Sequence, residues 1–271
     1  MKNLLILGSN SSIGSQLINS NKLSKKFNIF SHSRFENNYN FKWDYNFNKI
    51  NQQFISLKNN VDAILCLSGG KVIGKNFKEY KKIVSSVFEL SDFLNSKCIY
   101  FMSSASVYGN FGKQKKETDD VNPLSNYSKS KIYMENIIRE YARKKDNTIF
   151  ILRMGNFFFC DEIYKNLLIS FKENKNFVLQ INDQGLTPMR SYTDSTFLND
   201  LILKLMNLNT KQIKILNVAT PDNNLRLSEV LNYYISKDSK LKKIKIIKEN
   251  TFLNNFDLTL NTKELEIIIN S

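Results

Sequence analysis

Short apolar runs punctuate the first 155 residues. Residues 2–7 (KNLLIL) stop at Gly8, and similar runs recur at 27–32 (FNIFSH), 61–67 (VDAILCL), 98–103 (CIYFMS) and 148–153 (TIFILR). Each has the length and β-branched or aromatic content of a buried strand. Helical periodicity fills the intervals at 15–25, 76–95 and 125–144. In the second of these, Phe77, Tyr80, Val84, Val87, Phe88 and Phe93 fall near one face. Strands that alternate with helices predict βαβ units, hence a mostly parallel, doubly wound α/β sheet over residues 1–155. Beyond that point the pattern loosens into Asn- and Lys-rich segments. Residues 156–271 are expected to form a small α/β lobe, with some segments returning to the first domain. The stretch 237–248 (KDSKLKKIKIIK) alternates apolar and charged residues and reads as an edge strand with a solvated face.

Composition narrows the function classes. No apolar run approaches the roughly 18–20 residues of a membrane span, and the run before Gly8 is too short for a signal-peptide core. Cys66, Cys98 and Cys160 are odd in number and widely spaced, which argues against a disulfide scaffold or a cysteine metal site. His32 is the single histidine, so no multi-histidine metal centre is expected, and it reads as a surface or adenosine-edge residue. A soluble cytoplasmic chain without a metal follows. The net charge of +14 first suggests a polyanionic partner. The excess, however, is lysine: 33 Lys and 37 Asn stand against 6 Arg and 4 Ala. That bias resembles an AT-rich coding sequence more than a phosphate-reading surface, so a nucleic-acid partner is not expected.

Chemistry begins at Gly8-Ser9-Asn10-Ser11-Ser12-Ile13-Gly14, between the first strand and the first helix. Gly8 allows a tight turn, and Gly14 allows the helix to lie close on the strand. The backbone N–H groups of Asn10, Ser11, Ser12 and Ile13 then face a pyrophosphate. This is the dinucleotide loop of a Rossmann-type sheet, with Ser11 where a middle glycine is usual. After the second strand come Ser31-His32-Ser33-Arg34, with no acid before Glu36. A hydroxyl at Ser33 and a guanidinium at Arg34 suit a ribose 2′-phosphate, so NADP(H) is favoured and NAD(H) is the alternative. Asp44 is placed to accept a bond from the adenine amino group. Ser68 and Gly69, of Ser68-Gly69-Gly70, join the cofactor side.

Tyr127 and Lys131 lie four apart on a predicted helix, hence on one face. A nearby ammonium is expected to lower the phenol's pKa and fit it for proton exchange. Ser104, 23 residues earlier at the end of a strand, is placed to hold the same substrate oxygen.

These pieces, in this order, resemble the extended short-chain dehydrogenases/reductases, the group of nucleotide-sugar epimerases, dehydratases and reductases. The resemblance runs the length of the chain. It rests on the glycine loop, Ser-Ser-Ala-Ser-Val-Tyr-Gly at 103–109, Tyr127/Lys131 and Leu152-Arg153-Met154-Gly155-Asn156. Further on come Arg190 within Pro188-Met189-Arg190-Ser191-Tyr192, then Leu216-Asn217-Val218-Ala219. It implies that Ser104, Tyr127 and Lys131 are catalytic, Lys131 also holding the nicotinamide ribose, and that Asn156 and Arg190 bind a nucleotide diphosphate. It also implies a role in nucleotide-sugar metabolism, such as polysaccharide biosynthesis, and is compatible with a homodimer. Three departures stand out. Dehydrating members carry Asp-Glu where this chain has Ala105-Ser106. An asparagine of the helix before the catalytic strand is replaced near Ile83. The usual Asn-Val-Tyr-Gly has become Asn156-Phe157-Phe158-Phe159.

The leading expectation is therefore an NADPH-dependent reduction of a keto-sugar carried by a nucleotide, with Tyr127 as proton donor. A nucleotide-sugar epimerase with retained NAD is the runner-up. A non-enzymatic dinucleotide sensor, or an RNA-associated protein on the same fold, is the reading from another class. Cys66 and Cys98 are expected in the core, as are Trp43 and the Phe157–Phe159 run.

Overall fold

A computed structural model describes residues 1–36, 38–69, 77–109, 112–143, 145–208, 213–251 and 256–270. Gly70, and the helix-end positions Asn76 and Lys144, lie outside these described residues. The first half runs β1 (Lys2–Leu7), α1 (Ser12–Ile18), α2 (Asn21–Ser24), β2 (Phe27–Ser33), β3 (Phe41–Lys42), α3 (Ile50–Phe54), β4 (Ala63–Cys66), α4 (Phe77–Leu94) and β5 (Cys98–Ser104). Then follow β6 (Gly112–Lys115), α5 (Asn126–Ala142), β7 (Thr148–Met154), β8 (Asn156–Phe157), α6 (Glu162–Lys172), β9 (Phe177–Ile181) and β10 (Met189–Thr193). The chain ends with α7 (Ser195–Leu205), β11 (Ile213–Val218), β12 (Asn224–Arg226), α8 (Leu227–Lys237), β13 (Ile246–Asn250), β14 (Leu258–Leu260) and α9 (Lys263–Asn270).

The large sheet has seven strands in the order β11-β7-β5-β4-β1-β2-β3, and every pairing in it is parallel. Successive strands move outward from β1 in opposite directions, so a crevice opens at the carboxyl ends of β1 and β4. Side-chain alternation sends residues to two cores. Leu5, Leu7, Ile64, Phe101 and Ile151 pack under α4 and α5. Leu4, Ile6, Leu65, Tyr100 and Leu152 pack under α1, α7 and α9. Both faces are covered, which is why these strands read as continuous apolar runs.

Two sequence-based expectations change. The single helix expected at 15–25 is two. Ser11 opens the first by accepting from the Gly14 N–H (3.1 Å), and Ser20 opens the second by accepting from the Leu23 N–H (3.3 Å). A serine that satisfies a free N–H begins a helix there, whatever the apolar period continues to suggest. The Lys-rich stretch divides as well: 239–243 is a 3₁₀ turn, and only Ile246–Asn250 forms a strand, paired with β9 alone.

After Gly155 the chain is more regular than its composition suggested. β11 returns to the large sheet beside β7, with Asn217 opposite Arg153. A second sheet runs β12-β10-β14-β6, with β8 also paired to β10. Its strand β10 carries Arg190 toward the crevice. A third core, including Leu167, Leu179, Tyr192, Val230 and Tyr234, fills the space among α6, α8 and β9.

Candidate active site

The glycine loop is built as a cradle. Gly8 has φ +83°, and a Cβ there would lie 2.9 Å from Ser68 Oγ. At Gly14 a Cβ would come within 2.7 Å of the Gly8 carbonyl and of Ser9 backbone, so α1 reaches its position on β1 only with glycine there. Ser9 is fully buried. Its hydroxyl donates to the Ile6 carbonyl (2.8 Å) and accepts from the His32 N–H (3.1 Å). Asn10 and Ser12 are exposed, and Ser11 and Ile13 half-buried, at the end of α1 whose first N–H groups lack intrahelical partners. The loop fits a pyrophosphate.

His32 corrects its expectation. It lies wholly inside, not at the surface or the adenosine edge. Its Nδ1 accepts the Gly8 N–H (3.3 Å), so the proton sits on Nε2, 2.7 Å from the Trp43 carbonyl. Trp43 and Tyr45 flank the ring edge-on. Burial pushes the imidazole down to about 4. The unfolded chain binds this proton below about 6.5 and the folded one does not. Stability is therefore fully present above that pH and is lost as pH falls toward 4, by about 3 kcal/mol for this group. Urea midpoints of wild type and His32→Asn should be well separated at pH 7 and converge near pH 4.5. Parallel curves would show that His32 does not hold the loop.

The ribose end holds both signs of charge. Ser33 is buried, and its hydroxyl accepts from the Glu36 N–H (3.2 Å), which turns it into the chain. Arg34 is half-buried, stacks on Phe35 and lies 4.0 Å from Glu79. Glu36, the first acid after the second strand, accepts a hydrogen bond from Asn10 Nδ2 (3.0 Å) at the phosphate loop. Asp44 is exposed, and Trp43 and Tyr45 beside it are core. The Tyr45 hydroxyl bonds Ser68.

The catalytic candidates converge. Ser104 ends β5, and α5 begins at a capping box of Ser125 and Ser128 that fixes the first turn carrying Tyr127. Lys131 is buried, and its Nζ donates to the Met102 carbonyl (2.8 Å) while lying 5.7 Å from the Tyr127 ring centre. Gly69, at φ +99°, is pressed against α4: a Cβ there would stand 2.8 Å from the Tyr80 ring and 3.7 Å from Lys131 Nζ, so the position takes only glycine. The expected fall in the phenol's pKa is absent. Burial pushes Tyr127 up to about 12, against a downward pull from its hydrogen bond with Ser104. Burial also lowers Lys131 to about 8. The ammonium is aimed at the Met102 carbonyl, and desolvation outweighs its attraction for a phenolate.

A cavity of about 110 Å³ takes in Ser104 from this cluster, and is lined also by Ser106, Asn156 and Arg190 with Leu258 and Leu260. Arg190 donates to the carbonyls of Met189 (2.8 Å) and Phe256 (2.5 Å). Among the described residues no carboxylate pairs with it; the neighbouring Asp257 pairs with Lys113 and Arg226.

A family model for the NAD dependent epimerase/dehydratase family matches residues 4–196, from β1 into α7. The chain belongs to that family. It is an enzyme of the extended short-chain dehydrogenase/reductase type. No curated protein matches it. Among solved structures it is similar to the UDP-N-acetylglucosamine 4-epimerase of Bacillus cereus, with 17% identity, TM-score 0.73, and coverage of 100% of this chain and 93% of that one. A dTDP-glucose 4,6-dehydratase of Bacillus anthracis, in complex with NAD, matches at 18% identity, TM-score 0.76, over 100% and 91%. A hypothetical dTDP-4-dehydrorhamnose reductase of Sulfolobus tokodaii matches at 20% identity, TM-score 0.70, over 99% and 94%.

Within this family fold, one group of polar residues had escaped the sequence reading. Arg153 and Glu135 form a buried bidentate pair (2.8 and 3.1 Å). Glu135 also accepts from the Ser103 hydroxyl (2.6 Å), and Arg153 donates to Tyr108 (2.9 Å). A signal was present: Glu135 stands four residues after Lys131, and Arg153 is a charge inside the apolar strand TIFILRM. Two charges in buried elements need each other. The aromatic run divides. Phe157 is core, Phe158 stacks on Tyr192, and Phe159 is exposed. Cys66 and Cys98 are buried as expected, and burial pushes Cys66 up to about 11. Among the described residues no helix is long and apolar enough to cross a membrane.

Proposed function

We propose that this enzyme exchanges hydride at a ring carbon of a nucleotide-activated sugar. The observation that carries this reading is that Ser104, at the end of β5, shares the wall of one cavity with Asn156 and Arg190, while Tyr127 and Lys131 lie on the helix packed beside that strand end. A half-buried guanidinium that pairs with no carboxylate among the described residues attracts a diphosphate. Asn156 lies where it can hold the same group. Ser104 holds the sugar oxygen, and Tyr127 gives it a proton or takes one back. The bound nicotinamide supplies the hydride exchange. No carboxylate stands at positions 105 and 106, so the reading excludes water elimination of the dehydratase kind.

The cofactor reading shifts from the sequence expectation. Ser33 faces inward, and Glu36 reaches the phosphate loop through Asn10. A carboxylate there binds a ribose 2′-hydroxyl and repels a 2′-phosphate, which supports NAD(H) over NADP(H). Retained NAD favours the epimerase. The reductase stays as the second reading because Tyr127 is a protonated phenol at neutral pH, ready as a donor. Three free thiols agree with a reducing cytoplasm.

Denaturing the purified protein and identifying any released dinucleotide tests this, followed by titration of the emptied protein. NAD(H) should be released, or NADH should bind at least tenfold more tightly than NADPH, about 1.4 kcal/mol. Glu36→Gln should narrow that ratio. An empty protein that prefers NADPH tenfold would return Arg34 to the ribose and make keto-sugar reduction the leading activity.

A further inference from the structure

Ser106 stands two residues beyond Ser104, in the 3₁₀ turn Ala105–Tyr108 into which β5 runs. Its N–H donates to Ser104 Oγ (3.2 Å), and the two hydroxyl oxygens are 2.9 Å apart. Both serines line the same cavity. Ser104 in turn stands close enough to Tyr127 to pull the phenol's pKa down against its burial. Other polar groups near Tyr127 are committed elsewhere. The Lys131 ammonium is directed to the Met102 carbonyl, and the Tyr80 hydroxyl donates to the Gly69 carbonyl (3.1 Å). Ile83, on the neighbouring face of α4, is apolar and buried.

A serine hydroxyl has one proton and two lone pairs. When Tyr127 gives up its proton, Ser104 must turn its own proton to the phenolate. The bond between the serines then has to run from Ser106 to Ser104. Ser104 accepts twice from Ser106, once from N–H and once from O–H, and its single proton has one direction left. We propose that Ser106 is a positioning residue whose hydroxyl donates to Ser104 and thereby aims the Ser104 proton at Tyr127. The result is a chain of three hydroxyls ending in the cavity, each bond polarising the next. The proton that leaves Tyr127 goes to the sugar oxygen. The serine protons stay on their own oxygens, so no other group is oxidised or reduced. This inference rests on the reading of Tyr127 and Ser104 as the reacting pair.

The test needs no substrate. 3,5-Difluorotyrosine placed at position 127 of the full chain lowers the phenol's ordinary pKa into a range the fold tolerates, and its ¹⁹F resonance reports ionisation. Ser106→Ala should raise the midpoint by about half to one pH unit, the worth of one net hydrogen bond. Ser106→Thr, which keeps the hydroxyl, should restore the original midpoint. Ser104→Ala should raise it at least as far. If Ser104→Ala moves the midpoint and Ser106→Ala does not, the role of Ser106 is overturned and the catalytic reading stands. If neither moves it, the Ser104–Tyr127 pairing itself fails, and the inference fails with it.

Discussion

Replacing Tyr127 by Phe should reduce turnover by about a thousandfold, ~4 kcal/mol of barrier, within the usual range for a positioned general acid or base. The magnitude follows from where the hydroxyl stands. Ser104, which lines the cavity, pulls its pKa down, and burial outweighs that pull and keeps the phenol protonated to about pH 12. Among the described residues no other proton donor shares that position: Lys131 is directed to a backbone carbonyl 2.8 Å away, and the single histidine lies under the glycine loop. The ring of Phe fills the same volume, so dinucleotide affinity should change by about twofold or less. Loss of turnover together with binding would mean that the substitution disturbed α5 and not the chemistry. Turnover that persists with intact binding would favour a dinucleotide sensor. Alkaline pH offers a second check. Lys131 sits at about 8 in the empty protein, so its ammonium is present below that pH and is lost above it. A phenol near 12 and an amine near 8 place any alkaline limb in the pH profile on the lysine.

Much of this site was legible in the sequence because its residues lie at element ends. Gly8, Ser68 and Ser104 each follow an apolar run, and the βα order puts those ends along one edge of the sheet. Spacing alone placed Tyr127 and Lys131 on one helix face. The orientation of the side chains was less legible, because it depends on contacts between distant segments. His32 reads as a surface or adenosine-edge residue, but pairing of β2 with β1 brings its Nδ1 to Gly8. The turn after β2 folds Glu36 back to Asn10, a contact that spacing along the chain does not show. The tyrosine's pKa was misjudged for the same reason. Helical spacing predicts that an ammonium is near, but neither its burial nor its aim. The elements of the C-terminal part were harder to bound because lysine and asparagine dilute the period of β11 and α9. Their buried positions, Leu216, Val218, Leu265 and Ile268, still follow the rule that built the first half.

Breaking the pair of Arg153 and Glu135 should be the most costly structural change, about 3–5 kcal/mol. Both side chains are almost wholly buried and joined by two parallel hydrogen bonds. Burial alone would drive the Arg153 pKa down, but the hydrogen bonds and charge of Glu135 more than reverse that. Arg153→Met leaves the Glu135 carboxylate inside with hydrogen bonds from Ser103 and the half-exposed Arg139 and the more distant charge of Lys131. It also strips a donor from Tyr108 and from the Glu117 carbonyl. A loss of that size should lower Tm by roughly 10 °C in a chain this long. The apolar double replacement, Arg153→Met with Glu135→Leu, should recover most of the loss, because a matched buried pair returns little beyond its own desolvation. Function separates the two variants further. Ser103, which Glu135 holds at 2.6 Å, directly precedes Ser104, and Glu135 lies one turn beyond Lys131 on α5. Through these contacts the pair registers the catalytic helix on the strand that carries the serine. The stable double variant should therefore still turn over more slowly than wild type at temperatures where both are folded. A Tm within about 2 °C of wild type for Arg153→Met, well short of the expected shift, would show that the buried charge finds another partner and that the register of α5 does not depend on it.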